Sequence, residues 1–333
     1  MPYSTNNGLQ LEREILEYPG WSNTYIFLTE GITRKFSDPF IYGEEQQEIF
    51  KEIASKVAEM LLKVHPDMSA DNTLVIRILE GGRYYYVYEA LCNILGSTIP
   101  LGEIDIKTRF KYNPSDIETK IVSDLNIMNR QIYPKYIVIP DTIASGSTME
   151  TMLKRLYHAF HHKYHLIIGG VVTLKGLDRV RRWLVDNNFE YTFFAYGGLL
   201  GLGFNMTDMT LGDKPNYIPP TVIEKAVERL GEEIASKLCV IGDFTYSNKY
   251  VEKYLAERLI QIWEIGVNSS KQKTKEKAGE LLLQGLSKLL DFISVDEIEL
   301  VLAEEYRRRK ALVGEEVNIE RVSLGELLSF KKF

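Results

Sequence analysis

Between residues 136 and 156 the chain reads YIVIPDTIASGSTMETMLKRL, and the joint at its centre gathers Asp141, Ser145, Gly146, Ser147 and Thr148. Hydroxyls and backbone N–H groups donate hydrogen bonds, and glycine lets a backbone come close to a ligand. That combination suits a phosphate. The flanks say how the joint is held. Ile137, Val138 and Ile139 form a β-branched apolar run, which predicts a buried strand. Met149, Met152, Leu153 and Leu156 recur at helical spacing, so a helix follows at once. Gly146 permits a tight turn, and Ser147 or Thr148 can cap the helix. A helix N-terminus offers free N–H groups and roughly half a unit of positive charge, where anions settle. An ordinary strand–helix turn needs one cap. An acid followed by this run of small and hydroxyl residues exceeds that need.

The rest of the chain must position this joint. It has 333 residues, 45% of them hydrophobic, enough for a sizeable core. A net charge of −6 gives no global attraction to nucleic acid or to an anionic membrane, so neither is an expected partner. The two cysteines, Cys92 and Cys239, lie in apolar neighbourhoods and read as buried free thiols in a reducing compartment. No N-terminal stretch has the charged start and apolar core of a signal peptide, and apolar runs such as LIIGGVVTL are too short to span a bilayer. A cytoplasmic protein is expected.

Residues 43–64 predict an amphipathic helix stopped at His65–Pro66. After it, strands at 73–79, 102–112, 165–174 and 190–196 alternate with helices at 84–95 and 176–187, and a polar stretch reaches about residue 134. Such alternation predicts an α/β fold, a parallel sheet with helices on both faces, and ligands beyond the carboxyl ends of its strands. Residues 197–220 read as a long glycine-rich loop. Their G-x-x-G-x-G order is the reverse of a dinucleotide fingerprint, which excludes a nicotinamide reading. Helices at 221–238 and 248–265 flank a short strand and turn at 240–247. From 269 to about 312 the chain is charged and helical, and RRRK at 307–310 follows Glu304 and Glu305 as a salt-bridged face. We divide the chain into a domain at 1–265, with a lead and helix at 1–70 and a core at 71–250, and a helical C-terminal extension at 266–333.

The central motif resembles the phosphoribosyl-diphosphate (PRPP) loop of type I phosphoribosyltransferases, and the order of elements resembles the uracil phosphoribosyltransferase branch. The resemblance implies that Asp141 is the second acid holding the ribose hydroxyls. It makes Ala144, Ser145, Gly146, Ser147 and Thr148 the 5′-phosphate loop. It implies a pyrophosphate loop at Glu80, Gly81, Gly82 and Arg83 within IRILEGGRYYYVYEAL. Arg109 in IDIKTRF falls where the family has a strand ending in arginine. NYIPPT and IGDFTYS resemble the base-reading segments, which implies base contacts at Tyr217, Ile218, Pro219 and Asp243. Three residues depart from the pattern. Pro140 occupies the first acid's place, Glu80 stands where the branch has arginine, and Ser147 replaces the loop's second glycine. Ala144 stands where 6-oxopurine enzymes carry an aspartate, which disfavours that class.

The implied reaction displaces pyrophosphate from the anomeric carbon through an oxocarbenium-like state, with Mg²⁺ and cations neutralising the leaving group. Magnesium prefers few protein oxygens plus substrate phosphates, so Asp141 acting through water would suffice. Arg109 is also expected to be catalytic, and Arg83, Arg109 and Lys111 are candidate pyrophosphate cations or ordinary surface charges. The expected function is transfer of ribose 5-phosphate from PRPP to uracil or a related pyrimidine, by a homodimer or higher homo-oligomer that binds PRPP and a nucleobase or nucleoside monophosphate. The alternative is a non-catalytic PRPP- or nucleotide-binding regulatory protein, which Glu80 and Pro140 favour. His158 and His162, four residues apart, could ligate zinc from one helix face, but no HExxH order or cysteine partner accompanies them. A helix end facing solvent or a subunit is the simpler reading. Tyr84, Tyr85, Tyr86 and Tyr88 read as packing and interface residues.

Overall fold

The computed structural model describes residues 15–79, 81–110, 117–127, 133–203, 206, 208–241, 250–312 and 314–330. A short pair, β1 (Ile15–Glu17) and β2 (Thr24–Phe27), leads into α1 (Glu30–Ser37) and α2 (Gly43–Val64). The centre follows as β3 (Thr73–Leu79), α3 (Val87–Leu95), β4 (Leu101–Phe110), β5 (Ile117–Ile127), β6 (Tyr136–Pro140), α4 (Ser147–Ala159), β7 (His165–Thr173), α5 (Leu174–Asp186) and β8 (Glu190–Leu202). The remainder holds β9 (Met209–Thr210), α6 (Pro220–Leu230), α7 (Glu232–Lys237), β10 (Cys239–Ile241), α8 (Val251–Asn268), α9 (Gln272–Leu290), α10 (Val295–Leu312) and α11 (Leu324–Leu328).

The sheet runs β1-β2-β8-β7-β6-β3-β4-β5. The strands from β2 to β4 in that order are parallel, and β1 and β5 pair antiparallel at the two edges. Side chains alternate across it as a period of two requires. Ile137 and Ile139 of β6 face Met149, Met152, Leu153 and Leu156 of α4 and Leu177, Val180 and Leu184 of α5. Tyr136 and Val138 face the opposite core, built with Ile53 and Val57 of α2 and Leu91 of α3. Both faces are covered, which explains why the central strands are apolar throughout. From β3 the chain moves outward to β4 and β5, then returns to β6 on β3's other side and moves outward through β7 and β8. In sheets of this kind such a reversal, here beyond the carboxyl ends of β3 and β6, is where a ligand crevice is expected.

This is the mostly parallel, helix-flanked sheet with C-terminal helices that the sequence predicts. Several local expectations need correction. The polar stretch before residue 134 contains β5, an antiparallel edge strand whose described neighbour is β4 alone. The helix expected at 84–95 starts at Val87, because residues 81–85 form a 3₁₀ turn and Tyr86 takes a left-handed φ of 54°. The strand expected to end at 196 continues to Leu202, so part of the supposed glycine-rich loop is sheet. The helix at 221–238 is broken at Gly231 into α6 and α7. Helix α9 is not loosely attached. Its Leu281, Leu282 and Leu286 share one apolar cluster with Phe40, Phe50 and Leu259. Buried Lys35 of α1 ties the same region together, donating to the Ile41 carbonyl at 2.7 Å and to the Tyr254 hydroxyl of α8 at 2.8 Å. The basic run is salt-bridged as expected, with partners reaching further than Glu304 and Glu305. Arg308 pairs with Glu305 and Glu257, Arg309 with Asp208 and Glu264, and Lys310 with Glu264 and Glu315. No described helix is long and apolar enough to cross a membrane.

At the amino ends of the strands, two imidazoles share one buried hydroxyl. His65 Nε2 lies 3.1 Å and His165 Nε2 2.9 Å from Thr192 Oγ1. A hydroxyl has one proton to give and two lone pairs to accept with, so at most one of the two rings accepts from it. Burial, and then the neighbouring His165 ring, lower the His65 pKa from 6.5 to about 4. An unfolded chain therefore takes up a proton below pH 6.5 that the folded chain refuses until about 4, and stability falls through that window as pH falls. The melting temperature should drop between about pH 7 and 4. His65→Gln, which keeps a hydrogen-bonding group without an ionisable ring, should flatten part of that drop. Parallel melting profiles for the two proteins would place the acid sensitivity elsewhere.

Candidate functional site

The crevice predicted by the strand order is where the carboxylate falls. Beyond Pro140 the chain keeps pairing with β7: the Asp141 N–H donates to the Gly169 carbonyl at 2.8 Å, and the Ile143 N–H to the Val171 carbonyl at 3.0 Å. This holds residues 141–143 in register and turns the Asp141 side chain toward the end of β3. A methyl group built on Gly81 would lie 3.0 Å from Asp141 Oδ1, and one on Gly82 would lie 2.8 Å from the Pro140 carbonyl oxygen. Only glycine allows the two loops this approach. Tyr85, fully buried, pins the arrangement from below. Its hydroxyl lies 2.6 Å from Thr142 Oγ1 and accepts from the Val171 N–H at 3.2 Å, while its ring stacks on Phe50.

Asp141 is 6% exposed. Burial raises its pKa from 3.8 to about 7, and a backbone hydrogen bond from Thr142 offsets part of that rise. No lysine or arginine pairs with it among the described residues. It is a carboxyl poised between its two protonation states, facing a glycine turn.

The second half of the site is the start of α4. Gly146 is its N-cap, at φ +78°, and no side chain caps the helix. The sequence expectation of a Ser147 or Thr148 cap is therefore corrected: both lie inside the first turn, where the Ser147 N–H donates to Ser145 Oγ at 3.5 Å and Ser147 is buried. A methyl on Gly146 would meet the Gly176 carbonyl oxygen at 2.6 Å, so α5 backs the loop directly. Thr173 fastens it from the other side, donating to the Ala144 carbonyl at 2.5 Å and accepting from the Gly176 N–H at 2.9 Å. Ser145 Oγ donates to Ser147 Oγ at 3.1 Å, and Arg179 Nη1 donates to the same oxygen at 2.6 Å. Arg179 Nε also donates to Glu150 Oε2 at 2.6 Å. Burial pushes Glu150 up, but hydrogen bonds from Lys154 and Arg179 outweigh it and hold the carboxyl below its usual range. The start of α4, two serine hydroxyls and a guanidinium thus lie together in the loop that follows Asp141, and these are donors of the kind an anion takes.

Other expected residues lie apart or elsewhere. Arg83 donates to Glu103 Oε1 at 3.0 Å, so its charge is already paired on the protein. Arg109 pairs through its backbone with Glu118 of β5; its side chain, like Glu80, Lys111 and Asp243, lies outside the described residues. Tyr217 exchanges both backbone hydrogen bonds with Leu199 at 2.8 Å, which uses the groups expected to read a base. Ile218 is buried, and the Pro219 carbonyl accepts from Val222 at the start of α6. Along the register Ile143–Val172–Leu199–Tyr217, this segment sits on the same edge of the sheet, roughly 14 Å from Ile143 at three interstrand spacings. The pair His158 and His162 does not share a helix face, because α4 ends at Ala159, and no group of three or more potential metal ligands occurs among the described residues. Sequence reasoning did not point to Arg179, and it read Tyr85 as the packing residue that its burial makes it. No spacing rule links either to the central motif.

The titration of Asp141 gives a direct check. Below about pH 3.8 folded and unfolded chains both hold the proton. As pH rises toward 7 the unfolded chain loses it and the folded chain does not, so stability contributed by the neutral carboxyl is lost through that window, at about 1.4 kcal/mol per pKa unit. Asp141→Asn should melt close to the wild type near pH 4 and increasingly above it toward pH 8. A difference that does not change with pH would mean that the carboxyl is ionised in the fold throughout.

No family model and no curated protein matches this sequence. Among solved structures, adenine phosphoribosyltransferase from Trypanosoma brucei in complex with AMP, pyrophosphate and ribose-5-phosphate is 13% identical, covering 55% of this chain and 86% of its own, at a TM-score of 0.35. A hypoxanthine phosphoribosyltransferase from Staphylococcus aureus is 14% identical over 47% of this chain and 79% of its own, at 0.30. A hypoxanthine-guanine phosphoribosyltransferase from Bacillus anthracis is 16% identical over 41% of this chain and 75% of its own, at 0.30. Likeness at this level carries no functional conclusion, which therefore rests on the chain's own residues.

Proposed function

We propose that this chain binds PRPP across the ends of β3 and β6 and transfers its ribose 5-phosphate to a nucleobase, releasing pyrophosphate, with uracil or a related pyrimidine as the favoured base. The observation that carries the reading is the contact of Asp141 with Gly81, one loop from the N-terminus of α4. A ribose 5-phosphate has one anionic end and vicinal hydroxyls at the other. The loop at Ser145–Thr148, with Arg179 behind it, suits the phosphate, and Asp141 suits the hydroxyls as a hydrogen-bond acceptor. Gly81 and Gly82 then leave room and backbone donors for the pyrophosphate. The base nitrogen forms the new C–N bond while the C–O bond to pyrophosphate breaks and its electron pair leaves with that oxygen. Ala144 supports a pyrimidine over a 6-oxopurine, because it offers no carboxylate to a purine ring.

A magnesium ion fits this donor set. Mg²⁺ favours substrate phosphates with one or two protein carboxylates. Among the described residues Asp141 is the carboxylate that meets Gly81, and it would hold the ion through water when PRPP brings its own oxygens. Bound there, the ion would neutralise the departing pyrophosphate. The residues of the chain supply the rest: Ser145 and Ser147 at the start of α4 hold the phosphate, Arg179, whose charge Glu150 already takes, braces Ser147 from behind, and Asp141 orients the ribose.

A second reading, a PRPP- or nucleotide-binding protein without turnover, is supported by Arg83, whose charge Glu103 already takes, and by Pro140 in the place of a first acid. Turnover separates the two. With PRPP, Mg²⁺ and each common base, the wild type should release pyrophosphate, fastest with a pyrimidine. Gly81→Ala pushes a methyl against Asp141 Oδ1 and should lower kcat/KM at least tenfold while shifting stability by no more than about 1 kcal/mol. PRPP that raises the melting temperature without pyrophosphate release from any base would establish the second reading. No thermal shift and no release would remove both.

A further inference from the structure

A second cavity lies at the opposite end of the sheet. It has a volume of about 590 Å³ and is formed by the end of α4, the turn into β7 and the turn after α5. His165 begins β7 at this cavity, whereas Thr173 ends the same strand at the candidate site. Nine residues at about 3.3 Å each separate the two by roughly 26 Å, too far for one small ligand.

Its lining has two parts. One wall is aromatic: Phe160 and Tyr164 meet edge to face at 5.9 Å, Tyr164 and Phe189 at 5.2 Å, and Trp183 stacks behind Phe189 with 15° between planes. Tyr164 is 5% exposed, and its hydroxyl has no hydrogen-bond partner among the described residues. An unmet buried donor costs about 1–3 kcal/mol, which an occupant carrying an acceptor can relieve. The rim is basic. His161 and Lys163 project from the turn and make no hydrogen bond or ion pair among the described residues, and Lys135, paired with Asp67, stands beside them. The acid in the lining, Glu190, lies 3.6 Å from His165 Nδ1. A flat apolar wall under a basic rim matches a planar ring that carries an anion.

We propose that this cavity is a second ligand site, separate from the proposed transfer site, for a nucleoside monophosphate. The base lies against Phe160, Tyr164 and Phe189, and the phosphate meets Lys163 and His161. Nothing in this assignment depends on turnover at the first site.

Four of the chain's five histidines line this cavity and none touches the candidate transfer site, so their ring signals in a ¹H–¹³C NMR spectrum report on it selectively. Titrating the full chain with AMP, GMP, CMP and UMP should move those signals saturably for at least one nucleotide. The same shifts should persist in Asp141→Asn and weaken at least tenfold in affinity in Lys163→Glu, an exposed position that leaves folding intact. Inorganic phosphate or the parent nucleoside alone should bind at least tenfold more weakly. Three results would each overturn the proposal: no saturable shift with any nucleotide up to about 10 mM, a limit beyond which binding is worth less than about 3 kcal/mol; equal shifts with inorganic phosphate, which would mark a non-specific anion effect; or equal affinity in Lys163→Glu and the wild type. Each differs from the failure of pyrophosphate release, which reads the other site alone.

Discussion

A carboxyl held out of water against a glycine turn is the constraint around which the candidate site is organised. Desolvation favours the neutral form of Asp141, and no cation among the described residues opposes it. Such a group is unfavourable in the ionised state unless a ligand brings donors or a cation to it. Apart from the Thr142 N–H, which relieves part of that cost, the groups nearby serve to keep it in place. Residues 141–143 extend the pairing of β6 with β7, Gly82 lets the β3 turn settle on the Pro140 carbonyl, and the Tyr85 hydroxyl braces Thr142. A carboxyl fixed in this way is ordered before any ligand arrives, which lowers the cost of binding one.

The two-faced core explains how the fold keeps that loop in place. Each central strand sends alternate side chains into separate apolar clusters, so a displacement at the loop would have to repack both. Helix α4 is fixed by four apolar residues on one face, which leaves its first turn to present Gly146, Ser147 and Thr148 at the edge. Arg179 arrives from α5, whose own cap, Thr173, also holds the Ala144 carbonyl. One helix start thus steadies the other.

Much of this was legible in the sequence, and the failures have physical causes. Helix α2 and strand β3 begin and end where the apolar pattern and the His65–Pro66 step placed them. The joint at 141–148 falls between strand and helix as expected. Strand β5 was hidden because it is an edge strand with exposed polar residues, so no apolar run marks it. The end of β8 was hidden by Gly197 and Gly198, which read as loop but carry the strand through positive φ values. Tyr86, in a left-handed conformation, delayed a helix that propensity alone would start earlier. The contacts of Arg179, Tyr85 and Thr173 join elements far apart in the chain, and single-sequence periodicity has no means of pairing them. The basic run at 307–310 was correctly read as salt-bridged, yet its partners in α8 and at Asp208 depend on how α10 packs.

The central claim is that the crevice between β3 and β6 holds a sugar phosphate with its two ends in fixed places. A crystal structure of the chain soaked with PRPP and Mg²⁺ tests this most directly. The account predicts density with the 5′-phosphate on the backbone amides and hydroxyls of residues 145–148 and the ribose hydroxyls within hydrogen-bonding distance of Asp141. An empty crevice at saturating PRPP, or PRPP bound with its 5′-phosphate away from the α4 N-terminus, would contradict it.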